Sequence, residues 1–283
     1  MSYFRADRFA SLYLVRPLRR FAGGCNPQRI PILMYHSISE DFAGCGHPYF
    51  VTETSPQIFE THMRHLRDNR YCAISLDEVT SRTADNGCSN GKRVAITFDD
   101  GYRDFYTRAF PVLRKYGLSA TVYLPSAYIS HQHRSFRGKD CLTWAEVREL
   151  HNAGISFGSH TMTHRQLKSL SGPDLEREIR GSKDAIENEL GVSIRSFAYP
   201  YAFPGADHEF RVRLQNLLER AGYENGVSTS IGSVHHVEDR FFLKRLPANV
   251  WDDLELFQAK LEGNYDWLYP AQFFAKWVKS RRN

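Results

Sequence analysis

Val94-Ala95-Ile96-Thr97-Phe98-Asp99-Asp100-Gly101-Tyr102 is a run of β-prone residues that ends in two adjacent carboxylates, a glycine and a tyrosine that opens a helical pattern. A buried strand that stops in this way must find partners for both aspartates, because an uncompensated buried carboxylate costs on the order of several kcal/mol. Capping of the following helix would account for one Asp. Two in succession, followed by a residue suited to a sharp turn, point to chemistry at the strand end.

Outward from this stretch, strands and helices alternate. Ile30–His36, Tyr71–Ile74, Ala120–Leu124, Ile155–His160 and Ser196–Tyr201 read as strands, with Gly226–Thr229 and Phe242–Leu246 as the last two. Helices are expected from Ser55-Pro56, after Phe105, from the Thr143–Glu146 capping box to Gly154, over Pro173–Leu190, over Asp207–Ala221, and about Trp251–Leu261 and Ala271–Lys279. Ser37–Thr54 and Ser126–Asp140 read as polar loops. This order predicts parallel strands with right-handed crossovers, and the number of units favours a distorted (β/α) barrel of seven or eight repeats. No GxGxxG follows an early strand, which sets aside a dinucleotide-binding sheet.

In a parallel barrel the C-terminal strand ends meet on one face. His36, Asp99, Asp100, His160 and Tyr201 all fall at such ends or just beyond them. His160-Thr161-Met162-Thr163-His164 spaces two imidazoles at i and i+4, which on one helical turn would face the same divalent metal. Asp100 would complete a His2Asp set with an open position, leaving Asp99 as the base for water.

Thr97-Phe98-Asp99-Asp100-Gly101-Tyr102 and Ser159-His160-Thr161-Met162-Thr163-His164 resemble the first two motifs of the polysaccharide deacetylases, the NodB-homology or carbohydrate esterase family 4 enzymes. The resemblance covers roughly residues 30–250. It implies a NodB-like barrel, a divalent metal (zinc, with cobalt or nickel as alternatives) and removal of N-acetyl groups from an amino-sugar saccharide. By position, Asp99 resembles the catalytic base, and Asp100, His160 and His164 the metal ligands. Ala198-Tyr199-Pro200-Tyr201 is similar to the third motif, in which the Tyr201 amide would hold an oxyanion, but Ala198 stands where the family has an arginine. The late Leu-x-His motif is absent; the chain reads Leu243-Lys244-Arg245-Leu246. Both departures resemble the biofilm poly-β-1,6-N-acetylglucosamine deacetylases, in which an early Tyr-His supplies the acid. Tyr35-His36 is similar to that element, which implies His36 as general acid.

The resemblance implies a role in exopolysaccharide or cell-surface glycan biosynthesis. Relatives that deformylate sugars or open cyclic amides, and a catalytically silent glycan-binding protein, stay open as alternatives.

The chain has 283 residues, 42% of them hydrophobic and 24% charged, with a net charge of +5. That is an ordinary globular balance without the basic footprint of a nucleic-acid binder. Its five cysteines are widely spaced and include no CxxC, which fits a reducing compartment. Residues 1–24 read as a basic amphipathic lead segment, 25–262 as the barrel and 263–283 as a basic, aromatic C-terminal helix. No apolar run suits a membrane span or a signal peptide. A cytoplasmic location, or peripheral contact of the basic ends with an inner membrane surface, is the expectation.

Overall fold

The computed structural model describes residues 5–21, 29–41, 51–81, 91–235 and 239–280, with side chains to residue 274. Cys25, Cys45 and Cys88 and both extreme termini lie outside the described residues; Cys72 and Cys141 are free thiols.

Seven parallel strands close into a barrel: β1 (Ile32–Tyr35), β2 (Arg93–Phe98), β3 (Thr121–Leu124), β4 (Ser156–Ser159), β5 (Ser196–Ala198), β6 (Asn225–Ile231) and β7 (Leu243–Pro247). Leu33 pairs with Ile96 on one side and Leu246 on the other, so β1 closes the ring between β2 and β7. The expected strand at Tyr71–Ile74 is reduced to Cys72–Ala73 and pairs only with Arg93 and Val94. It stays outside the ring because β1 takes the upper part of the same β2 edge, from Ala95 to Phe98. The barrel therefore has seven strands, not eight.

Strand alternation sorts residues between two apolar compartments. Ile32, Ala95, Tyr123, Ala198, Val227 and Leu243, from six strands, pack together with Leu76 and Val234 inside the ring. Val94, Ile96, Phe98, Val122, Phe157 and Leu246 belong to the outer cluster beneath the helices. Gly158 is where the barrel has no room: a Cβ there would lie 2.4 Å from the Tyr123 ring and 2.8 Å from the Ser196 carbonyl.

The helices start as their sequences dictate. Ser55, Ser171, Asp207 and Asp253 each accept a first-turn N–H, and Thr143 with Glu146 forms the expected capping box. Two boundaries shift. The helix expected about Trp251 begins at Leu254 behind its Asp253 cap, and the last helix runs Leu268–Ser280. No helix among the described residues is long and apolar enough to cross a membrane.

Residues 6–21 are helical and lie against the barrel. Arg8 pairs with Asp253 at 2.7 Å, Arg16 with Glu262 at 3.0 Å, and Arg5 with both Asp7 and the buried Asp252. Phe9, Tyr13, Leu14 and Leu18 remain exposed on its other side.

Beside this contact, His62 is wholly buried and stacked on Phe257 at 3.9 Å between ring centroids. Its Nε2 donates to the Asp252 carbonyl (2.9 Å), so Nδ1 accepts from the Tyr35 hydroxyl (3.0 Å). That pattern requires a neutral ring. Burial, against the pull of Asp252, lowers its pKa from 6.5 to about 4. Between those values the unfolded chain binds a proton that the folded chain refuses, so stability is lost as pH falls. His62 is expected to account for about 2 kcal/mol of the stability lost between pH 7 and pH 5. Urea unfolding at both pH values should show that loss reduced in His62→Gln; an unchanged pH dependence would exclude His62 as its source.

Candidate active site

The end of β2 separates its two aspartates by backbone geometry. Ala95 and Thr97 face the barrel interior, and Asp99 continues that face. Asp100 and Gly101 both adopt positive φ, 71° and 59°, which swings the Asp100 carboxylate away from Asp99. Gly101 is required twice over, since a Cβ would meet the Leu124 side chain at 2.9 Å.

Asp99 is 2% exposed and holds a bidentate pair with Arg245 of β7, with both N–H···O distances 2.7 Å. Arg245 is itself 1% exposed and also donates to the Ser228 carbonyl (3.0 Å) and Thr97 Oγ1 (3.2 Å). Burial works to raise the Asp99 pKa; the Arg245 charge, with His160 and His36, outweighs it and holds the carboxylate ionised below its ordinary range. Position 198 is Ala, and it is Arg245, from the last strand of the barrel, that reaches the Asp99 carboxylate.

His160 follows β4 and is 2% exposed. Its Nδ1 donates to the Ala198 carbonyl at 2.8 Å, which leaves the Nε2 lone pair directed at the aspartates. Burial lowers its pKa to about 4, so the ring is neutral, as a metal ligand must be. The segment to His164 is not the helical turn expected from the spacing. Thr161 and His164 have φ of 68° and 55°, and the turn is held from outside itself. The Met162 and Thr163 amides donate to the Glu178 carbonyl (3.1 Å) and carboxylate (2.8 Å), and the Ser126 amide donates to the Thr161 carbonyl. The two imidazoles still converge, with ring centroids 4.8 Å apart.

Asp100 Oδ1 lies 3.2 Å from His164 Nε2 and 3.6 Å from His160 Nε2. It is buried without a hydrogen-bond partner of acceptable geometry. Ligand atoms of Asp100, His160 and His164 all fall within 4.8 Å of one another. An orphaned carboxylate oxygen facing two imidazole nitrogens fits a divalent cation, and the donor set suits zinc, cobalt or nickel.

His36 follows β1, with its Nε2 3.9 Å from Asp99 Oδ2 and its side chain 17% exposed. Tyr201 lies beyond β5 with φ 59°; its ring packs edge-on to His164 at 4.7 Å, and its carbonyl accepts from Thr229 Oγ1. The expected loop between β3 and the next helix contains a hairpin, Ser135–Phe136 paired with Lys139–Asp140, whose turn is Arg137-Gly138. It reaches the mouth of the site, where Arg137 lies over the rings of Phe136 (5.0 Å) and Tyr201 (5.1 Å).

All six sequence-derived site residues therefore meet at one end of the barrel. Arg245, Glu178 and Arg137 were not among them. Arg245 had a usable signal, because Leu243 and Arg245 share the inner face of β7 and an arginine turned into a barrel needs a carboxylate. Glu178 had none, since it acts on the turn from a helix fourteen residues beyond His164.

The chain is similar to several known proteins. Residues 86–226 match the family described as polysaccharide deacetylase. YxkH of Bacillus subtilis (strain 168), whose name assigns it provisionally to that family, is 32% identical over 236 residues, 83% of this chain and 77% of that protein. The poly-β-1,6-N-acetyl-D-glucosamine N-deacetylase of Staphylococcus aureus is 22% identical over 197 residues, 66% of this chain and 65% of its own length. Among solved structures, the Streptococcus pyogenes deacetylase PplD in complex with acetate superposes with a TM-score of 0.69 at 27% identity, over 83% of this chain and 99% of that one.

Arg245→Met would leave Asp99 buried with no cation. The expected loss is about 3–5 kcal/mol of stability at neutral pH. Denaturant unfolding should show that loss, and a partial recovery in Arg245→Met/Asp99→Asn, where the stranded charge is gone. Equal stability of Arg245→Met and wild type would contradict the pairing.

Proposed function

The chain belongs to the polysaccharide deacetylase family, whose members hydrolyse N-acetyl amides of carbohydrates, and from that premise we propose that it is a metal-dependent N-deacetylase of an amino-sugar polysaccharide or oligosaccharide. The observation that carries this proposal is the division of two adjacent aspartates. Asp99 is tied to Arg245 inside the barrel, and Asp100 is turned out toward His160 and His164. A monofunctional cap would need neither arrangement.

Asp100, His160 and His164 would hold the cation, with zinc the leading candidate. A cation there would supply Lewis acidity at the acetamide carbonyl and make water easier to deprotonate. Asp99, kept ionised and oriented by the guanidinium fork, takes the proton from the attacking water. The water oxygen bonds to the carbonyl carbon, and the Tyr201 amide N–H is assigned to the resulting oxyanion. His36, on the opposite wall from His164 and close to Asp99, donates a proton to the sugar nitrogen as the C–N bond breaks. Acetate and a free amine leave. A role in exopolysaccharide or cell-surface glycan biosynthesis is supported by the named activity of the Staphylococcus aureus relative.

Two tests bear on this. In the zinc-loaded protein, Asp99→Asn and His36→Ala should each lower acetate release from N-acetylglucosamine oligomers by about 10²–10⁴-fold. Full turnover by His36→Ala would remove it as the acid. Separately, chelation or His160→Ala should abolish acetate release, and zinc should restore only the chelated wild type. Activity that survives chelation would refute the metal assignment.

A further inference from the structure

Arg137 occupies a position that its residue type does not favour. The two-residue turn Arg137-Gly138 has positive φ at both positions, 51° and 78°, the type that hairpins normally build from Asn, Asp or Gly. A long side chain at the first of these positions costs about 1 kcal/mol or more. The hairpin nonetheless holds it there firmly. Cys141 N donates to the Arg134 carbonyl, Leu142 N to the Gly101 carbonyl, and Lys139 Nζ reaches Ser37 Oγ (2.7 Å) and Glu53 (3.1 Å) across the site.

The guanidinium is directed back toward His164. It is stacked on Phe136 and Tyr201, and its Nη2 lies 3.5 Å from His164 Nδ1. Two other charges at this mouth are matched, Lys139 by Glu53 and Asp99 by Arg245. Among the described residues, no carboxylate pairs with Arg137. Arg137 is exposed, which leaves its N–H donors accessible to a ligand from solution.

We propose that Arg137 is a substrate-selecting residue whose guanidinium binds an anionic group, carboxylate or phosphate, on the saccharide next to the N-acetyl sugar held at the site. This rests on the deacetylase function proposed above and specifies its substrate class. A planar fork with two aromatic supports is pre-organised for a two-oxygen anion. The selected substrate is thus an acidic glycan, with its charge within one sugar ring of the acetamide.

The experiment compares three N-acetylglucosamine tetramers with the zinc-loaded full chain: the neutral oligomer, a C6-oxidised form bearing carboxylates and a 6-phosphorylated form. Acetate release and calorimetric binding are measured for wild type, Arg137→Gln and Arg137→Lys. Wild type should favour at least one anionic oligomer in kcat/KM and in Kd, with the preferred arm naming the anion. Arg137→Gln should cut the anionic-to-neutral ratio by about ten- to a hundredfold, and Arg137→Lys by less, since it keeps charge but loses the fork. Added salt should shrink the wild-type preference and leave the Arg137→Gln ratio flat. An unchanged ratio in Arg137→Gln, a wild-type preference for the neutral oligomer, or no binding of either anionic oligomer would overturn the proposal. Binding discrimination without acetate release from any oligomer would instead sink the deacetylase function and leave the Arg137 site standing.

Discussion

Asp99 and Arg245 are joined inside a closed barrel, and the rest of the site depends on that pair. Neither group could be buried alone, because each would carry a desolvation cost on the order of several kcal/mol. Together they fix the last strand against the second across the barrel interior, at 2.7 Å in both arms of the fork. The pair also determines what Asp100 can do. With the only buried arginine among the described residues committed to Asp99, the second carboxylate is left to His160 and His164. Two identical side chains, one residue apart, thereby acquire opposite surroundings.

The backbone around this pair is unusual in a concerted way. Six non-glycine residues among those described have positive φ, and five of them, Asp100, Arg137, Thr161, His164 and Tyr201, border the site. Each conformation costs about 1–3 kcal/mol in isolation and persists only where neighbours over-determine it. Those neighbours are identifiable: Gly101 fitted against Leu124, the Glu178 carboxylate on the Thr163 amide, and Thr229 on the Tyr201 carbonyl. The remaining one, Arg70, ends a helix far from the chemistry. Strain is thus concentrated where side chains must be aimed.

Much of the architecture was legible in the chain. Runs of β-prone residues, helix caps and the repeated strand-to-helix order specified parallel strands and a barrel, and the polar residues at the strand ends marked the working face. The capping box at Thr143 fell where expected. The strand pattern left seven or eight units open, and long-range pairing decided for seven, because β1 takes the edge of β2 that Cys72–Ala73 would need to enter the ring. The HxxxH spacing suggested a helical turn, but the turn is shaped by Glu178 and Ser126, which no local pattern reveals. The hairpin carrying Arg137 was hidden in a polar stretch whose strands are only two residues long.

The sequence by itself determined which residue types meet at the end of the barrel, because strand direction and alternation are local properties that place His36, Asp99, Asp100, His160, His164 and Tyr201 on one face. Only the tertiary structure decided how they are charged and aimed. Ring closure brings Arg245 from 146 residues away onto Asp99, and the Ala198 carbonyl fixes the His160 tautomer from a neighbouring strand. Electrostatic pairing in a low-dielectric interior depends on distances of a few ångströms, and such distances exist only once the ring is closed.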